Sequence, residues 1–319
     1  NNNNNNNISA AVVFLAPQRH QLTWWHDTCR FCFLMRAIRS VDEHINQHYG
    51  PYPIYVLTAQ DYDKDPMGAD DRYSTQDQDL IRSWAPRSEV RFVQIPMYSG
   101  EALEPETTVP QILDWRVNGT DGAVKGRDLG YTSMCRLWSG RLQAMQFLKP
   151  YEYYLRMDDD SILTAKPDFD PFHRMKQDNL IYAWRKNAAD HWGINHLTAH
   201  IINKYVQWKP GMPFLGPGNT YTGHQPYNNF HVARVDAWTS PLWLRVWDDM
   251  NRHHLFFKYR VGDANVHAVF VMLLEEQQFQ LWRQFPYVHN VNDYYPPGFS
   301  SVQFKNECKE AMDAFGVAV

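Results

Sequence analysis

Apolar positions fall into short continuous runs that alternate with stretches of helical period. Ala10-Ala11-Val12-Val13-Phe14-Leu15-Ala16 is apolar throughout and stops at Pro17, the pattern of a strand buried on both faces. Leu34, Ile38, Val41 and Ile45 then share one helix face, and Gly50-Pro51 ends the segment. A second strand is expected at Pro53 to Thr58, a polar helix around Leu80, Ile81 and Trp84, and a third strand at Val90 to Ile95. This βαβαβ alternation predicts an α/β fold: an open, mostly parallel sheet with helices on both faces. The connection from Pro96 to about Arg127 has no clear period, and a connection that long is usually functional. Met134, Leu137, Leu142, Met145 and Leu148 predict a helix from Tyr131 to Phe147. Tyr151 to Met157 predicts a strand running straight into Asp158-Asp159-Asp160. Further strands are expected at Leu180 to Trp184 and Asn229 to Val235, with helices near Pro241 to His254 and Asp263 to Leu274. No internal repeat and no Gly-, Pro- or Ser-rich linker divides the chain. The expected organisation is a low-complexity tail at 1–8, whose Asn run cannot pack, and a single large domain at 9–319.

Composition narrows the partners. The 319 residues are 44% hydrophobic and 21% charged, enough apolar material for a substantial core. A net charge of -4 leaves no basic excess to track a phosphate backbone, so nucleic acid is not an expected partner. No run approaches the roughly 18 to 20 apolar residues of a membrane span, and no signal peptide is present. A lumenal domain cut free of its anchor would read the same way. Aromatic residues make up 15% of the chain, which suits a core and also a cleft that stacks on sugars or bases. Cys29 and Cys32 form a CxxC with no second pair to complete a zinc site, and read as a structural pair, either free thiols on one helix face or a local bridge.

The acidic triplet carries the most chemistry. Asp158 and Asp160 are one residue apart at the end of a strand, so both side chains point the same way, and strand C-termini are where open α/β sheets bind ligands. Such a D-x-D pair can hold a divalent cation while leaving positions for the two phosphates of a nucleotide. A second D-x-D, Asp61-Tyr62-Asp63, opens a run of turn formers and reads as an exposed loop.

Gly130-Tyr131-Thr132-Ser133-Met134-Cys135-Arg136-Leu137-Trp138-Ser139-Gly140, with the block from Lys149 to Asp160, resembles paired motifs of the fungal-type α-1,2-mannosyltransferases, glycosyltransferase family 15. Gly262-Asp263-Ala264-Asn265-Val266-His267 resembles that family's G-D-A-x-x-H, and Tyr287-Val288-His289 its Y-x-H. Arg39-Ser40-Val41-Asp42-Glu43 also matches in character, so the resemblance spans nearly the whole ordered chain. It implies a GT-A fold, a GDP-mannose donor, manganese, retention of anomeric configuration and a glycan acceptor, in the Golgi lumen or the secretory pathway behind an N-terminal anchor. By position it assigns Asp158, Asp160 and His289 to the metal, with Asp158 also facing the donor. It places Tyr131 near the anomeric carbon, Arg136 and Ser139 in the donor pocket, Arg19 on the nucleotide, and Asp263 at the reaction centre or acceptor.

Two departures qualify the carry-over. The triplet reads Asp-Asp-Asp where the family has Glu-Pro-Asp. His231, in Asn229-Phe230-His231-Val232-Ala233, stands where the family has a glutamate that is a candidate nucleophile; an imidazole is a poor substitute for a carboxylate that must stabilise a sugar cation. A noncatalytic carbohydrate-binding protein on the same fold, a GT-A enzyme with another donor sugar and a glycoside hydrolase with paired carboxylates therefore stay open.

Overall fold

Six of the seven strands of the central sheet run in one direction, and the seventh is the strand that carries His231. The computed structural model describes residues 8–16, 30–64, 72–118, 129–142, 145–190, 192–209, 211–289 and 301–314. Residues 1–7 of the tail expected at 1–8, Arg19 and Cys29 lie outside the described residues. In chain order the strands are β1 (Ala10–Leu15), β2 (Ile54–Ala59), β3 (Val90–Ile95), β4 (Tyr153–Met157), β5 (Ser161–Leu163), β6 (Tyr182–Trp184), β7 (Asn187–Ala189), β8 (His224–Pro226), β9 (Phe230–Arg234), β10 (Phe279–Leu281) and β11 (Tyr287–His289). The helices are α1 (Arg30–Val41), α2 (Thr75–Ser83), α3 (Val109–Asn118), α4 (Leu129–Arg136), α5 (Pro171–Gln177), α6 (Trp192–Tyr205), α7 (Pro241–Arg252), α8 (Asp263–Met272) and α9 (Ser301–Ala314). The main sheet has the order β10-β6-β9-β4-β1-β2-β3; β9 is antiparallel to both β4 and β6, and the other neighbours are parallel.

Period-two alternation along the strands sorts side chains into two cores. Val13, Leu57, Tyr154, Tyr182 and Ala233 face a layer built from α4, α6, α7 and α8. Val12, Val56, Leu155, Val232 and Phe230 face a layer built from α1, α2, α5 and α9. Both faces of β1 and β4 are therefore dry, which explains why those strands read as unbroken apolar runs. A disulfide joins Cys32 on α1 to Cys308 on α9. Neither expected alternative for the CxxC, free thiols or a local bridge, describes Cys32, because the turn of helix carrying it faces α9.

Two further expectations change. The single helix expected from Tyr131 to Phe147 is broken: α4 continues into one π-type turn at Leu137–Arg141, and Gly140 leaves helical geometry there. A Cβ on Gly140 would lie 3.0 Å from the Trp247 ring, so close packing against α7 selects a glycine and ends the helix. Asp61 is not in an exposed loop. It is buried, and its carboxylate accepts hydrogen bonds from the Met97 and Tyr98 amides and the Ser99 hydroxyl, tying the end of β2 to the chain after β3.

Candidate metal and donor site

The fourth strand delivers its acidic end to the C-terminal edge of the sheet, the place the topology reserves for ligands. Its residue Arg156 is 2% exposed and lies between two carboxylates. Nε donates to Asp158 Oδ1 at 3.0 Å, with Nη2 in ion-pair contact with the same oxygen at 2.9 Å, and Nη1 donates to Asp263 Oδ2 at 2.5 Å. The guanidinium also rests on the Trp138 ring, 4.3 Å from its centroid. Burial alone would lower the pKa of Arg156, but Asp158 and Asp263 hold it above its usual value. Burial likewise opposes ionisation of Asp263. Arg156, His267 and the hydrogen bonds from Arg156 and Asn228 outweigh it, so the carboxylate stays below the usual range. Gly262, not Asp263, occupies the N-cap of α8, so the Asp263 side chain is committed to this pair.

Asp159 turns the other way, into a two-pronged contact with Arg30 at the start of α1: Nε to Oδ2 at 2.9 Å and Nη2 to Oδ1 at 2.7 Å. Burial pushes its pKa up to about 6 despite the Arg30 charge, with Asp160 and Asp158 adding to the rise. The pair anchors the middle of the triplet, leaving the carboxylates on either side facing outward.

The antiparallel pair of β5 and β11 completes the site by placing His289 opposite Ser161. His289 Nδ1 is 3.0 Å from Ser161 Oγ and 3.3 Å from Asp160 Oδ1. The Tyr287 hydroxyl is 2.7 Å from the same serine oxygen, fixing that side of the ring. Ligand atoms of Asp158, Asp160 and His289 all lie within 4.8 Å of one another. Asp160 Oδ1 is buried with no hydrogen-bond partner, and a buried orphan acceptor of this kind calls for a cation or water. Two carboxylates and an imidazole are a donor set that suits manganese. Asp158, Asp160 and His289 therefore fit a divalent cation.

The remaining candidates are placed differently. Tyr131 is half-buried on α4, with the Arg260 guanidinium 5.8 Å from its ring centroid. Arg136 is buried; Nε donates to Asn251 Oδ1 at 2.9 Å, and Nη1 to the carbonyls of Glu101 and Ala102 at 2.7 and 3.0 Å. Ser139 is also buried and donates to the Cys135 carbonyl at 2.6 Å. Both residues spend their polar atoms on the protein itself. His231 is fully buried: Nδ1 lies 3.0 Å from the Asn228 carbonyl, Nε2 3.0 Å from the Tyr154 hydroxyl, and the ring stacks on Tyr182. Burial drives its pKa well below the usual imidazole value, with His267 and Arg156 adding to the effect, so the ring is neutral.

Arg156, Arg30, Asn228 and Asn229 were not singled out from sequence. A sequence signal existed for Arg156, which stands two residues before Asp158 on one strand and so shares its face. Asn228 and Asn229 precede β9 as a pair, and nothing local marks either as pointing at a carboxylate.

The sequence profile of the glycolipid 2-alpha-mannosyltransferase family, glycosyltransferase family 15, matches residues 26–314. The chain belongs to this family. Among curated relatives, an O-glycoside alpha-1,2-mannosyltransferase of Schizosaccharomyces pombe is 26% identical over 194 residues, 56% of this chain and 50% of the relative. The glycolipid 2-alpha-mannosyltransferase of Saccharomyces cerevisiae is 24% identical over 293 residues, 88% of this chain and 63% of the relative. The chain thus spans half to under two thirds of the length of these relatives. Among solved structures, core-mannan synthase A of Aspergillus fumigatus, in its Mn/GDP form, superposes with a TM-score of 0.69 at 18% identity, covering 100% of this chain and 88% of that one. A Saccharomyces cerevisiae mannosyltransferase in complex with GDP gives a TM-score of 0.68 at 17% identity, covering 98% and 83%. The open, mostly parallel sheet read from the strand pattern is observed, and the fold is the GT-A-like one that the family resemblance implied. Among the described residues no helix is long and apolar enough to cross a membrane.

Proposed function

We propose that this chain is the catalytic domain of a mannosyltransferase that moves mannose from GDP-mannose, with retention, onto a hydroxyl of a glycan acceptor, by preference in an α-1,2 linkage. The observation that carries the reading is the convergence of Asp158, Asp160 and His289 at the end of β4, beside an ionised Asp263, in a chain that belongs to this family. A manganese or other divalent ion bound there would supply positive charge to the departing diphosphate. The protein contributes the rest by position. Arg156 keeps Asp263 charged and aimed, so that its carboxylate is available to the acceptor hydroxyl or to charge developing on the sugar. Tyr131, whose ring lies 5.8 Å from the guanidinium of Arg260 just ahead of α8, would lie near the anomeric carbon in this reading. Arg136 acts from behind the donor wall by clamping α4 to α7 and to the chain at 101–102, and Ser139 ties the turn after α4 back to the Cys135 carbonyl. His231 is a neutral packing and hydrogen-bonding group in this reading, and Asp263 carries the charge at the reaction centre.

A secretory-pathway compartment, such as the Golgi lumen, is consistent with the Cys32–Cys308 disulfide, because such bonds persist in oxidising compartments. The test is calorimetry of GDP-mannose and UDP-sugars with and without Mn2+, followed by turnover on a mannoside acceptor and assignment of the product linkage by NMR. Metal-dependent binding of GDP-mannose with α-1,2 product is expected. Binding of no nucleotide sugar, or binding unchanged by chelation, overturns the mechanism; glycan binding without donor turnover would make the protein a carbohydrate-binding relative.

A further inference from the structure

The metal-ligand cluster contains one side chain that neither the family motifs nor the D-x-D spacing assigns. Asn229, immediately before β9, sends its amide nitrogen between two candidate ligands: it donates to Asp158 Oδ2 at 2.5 Å and lies 3.2 Å from His289 Nε2. Its backbone is fixed as well, since the Asn229 carbonyl accepts from the Asp158 amide at 3.1 Å. The neighbouring Asn228 directs its own amide to Asp263. Two successive residues therefore serve the two carboxylates that Arg156 bridges.

The orientation of the Asn229 amide follows from its partners. An ionised carboxylate only accepts, so the NH2 end must face Asp158, and its second hydrogen is then directed at the His289 Nε2 lone pair. Both acceptors are atoms that would bind a cation. One NH2 group thus satisfies the two lone pairs that a positive ion beside it would satisfy, and it does so with the positive end of a dipole. A cation entering between Asp158 and His289 cannot share that space with hydrogens. A half-turn of the terminal torsion, which is soft and roughly two-fold in asparagine, exchanges Nδ2 for Oδ1 and presents an oxygen to the ion. Amide oxygens are good ligands for hard divalent ions.

We propose that Asn229 is a fourth protein ligand of the divalent cation, with its amide nitrogen bridging Asp158 and His289 in the metal-free protein. The side chain would hold Asp158 and His289 in place before the ion arrives, then turn its oxygen onto the ion. The inference rests on the reading of Asp158, Asp160 and His289 as a metal site, and the experiment separates the two.

Mn2+ alone, without nucleotide, is titrated into the full chain and followed by electron paramagnetic resonance of the free ion and by calorimetry. Wild type is compared with Asn229→Ala and Asn229→Asp, each checked for folding by thermal melting and by retention of the disulfide. Asn229→Ala is expected to bind Mn2+ at least tenfold more weakly. Asn229→Asp, which keeps an oxygen at the position, is expected to bind at least as tightly as wild type. Its carboxylate would repel Asp158 when no ion is present, so its melting temperature should fall without metal and recover with Mn2+. Binding by Asn229→Ala equal to or tighter than wild type would show that the amide only competes with the ion, and would overturn the inference while leaving the three-ligand site intact. Failure of wild type to bind Mn2+ would remove the metal site and this inference together.

Discussion

Replacing Arg156 with methionine tests the electrostatic arrangement on which the site depends. Methionine roughly fills the volume of the arginine stem, so the main loss is charge. The side chain of Arg156 is 2% exposed, that of Asp263 10% and that of Asp158 20%. Removing one partner of a buried pair costs about 3 to 5 kcal/mol, because the remaining charge stays desolvated without compensation. Asp158 is wetter and loses less, and the stacking on Trp138 adds about 1 kcal/mol. The expected destabilisation of Arg156→Met is therefore about 4 kcal/mol, which a chain of this size reads as a fall in melting temperature of roughly 8 °C, at about 2 °C per kcal/mol. Denaturant unfolding followed by tryptophan fluorescence, with Trp138 against the mutated side chain, measures it directly. The diagnostic comparison is a double-mutant cycle with Asp263→Asn, which removes the stranded charge. In that background the same Arg156→Met change is expected to cost only about half as much, a coupling of about 2 kcal/mol. A single-mutant cost below 1 kcal/mol, or additive effects, would show that Arg156 and Asp263 are not a mutually dependent buried pair.

Three further outcomes follow from the same coordinates. His267 is buried with its pKa lowered by desolvation to about 4, so the unfolded chain takes up a proton at this residue between about pH 6.5 and 4 while the folded chain does not. Stability is then intact above pH 6.5 and falls as pH drops through that window, by about 3 kcal/mol from this residue, and His267→Gln should flatten the pH dependence of unfolding there. Substituting either Asp160 or His289 with alanine should weaken Mn2+ binding by about a hundredfold in calorimetry, since losing even an outer-sphere partner of a ligand costs ten- to a hundredfold; an unchanged affinity would place the ion elsewhere. Cys32 and Cys308 are 276 residues apart, so the chain-entropy account gives their bridge up to about 5 kcal/mol. The Cys32→Ala, Cys308→Ala double variant should unfold at markedly lower denaturant concentration, and mass mapping of the non-reduced protein should recover the linked peptides.

The parts of the molecule legible in sequence are those governed by local pattern. β1, β2 and β4 are dry on both faces, so their apolar runs announced them; with the half-exposed edge strand β3, their order with α1 and α2 was enough to give the parallel sheet. The three-residue strands β5, β7, β8, β10 and β11 carry too few positions to show any period, whereas the equally short β6 was legible because Leu180 and Ile181 extend its apolar run. Two of them matter most to the site, because β5 and β11 bring His289 to Asp160 across 128 residues of separation from Ser161. The role of Asp61 was misread for a related reason. Its turn-forming neighbours are local, whereas the amides of Met97 and Tyr98 that bury it lie on another part of the chain. Arg136 and Ser139 were expected to help shape the donor pocket because of the motif they sit in; the partners that hold Arg136 include Asn251 and the 101–102 carbonyls, which no linear spacing connects to it.

The two departures from the family motif, taken together, conserve the number of carboxylates. The motif supplies a glutamate and an aspartate in its triplet, a third acid where this chain has His231, and a fourth in G-D-A-x-x-H. This chain loses the acid at 231 and gains one at Asp159, so four again surround the end of β4. The structure shows why the exchange is tolerable on both sides. His231 sits fully buried, where a neutral imidazole is satisfied by the Asn228 carbonyl and the Tyr154 hydroxyl, and where an additional carboxylate would need a partner. Asp159 is buried too, but Arg30 meets it with two hydrogen bonds. Among the described residues at the site, Arg30 and Arg156 offset two of the four acids, leaving a formal charge of minus two beside a cluster with an orphaned oxygen. A divalent cation is a ligand that closes this balance, and under the proposed function Asp263, held ionised by Arg156, is the carboxylate that would act on sugar.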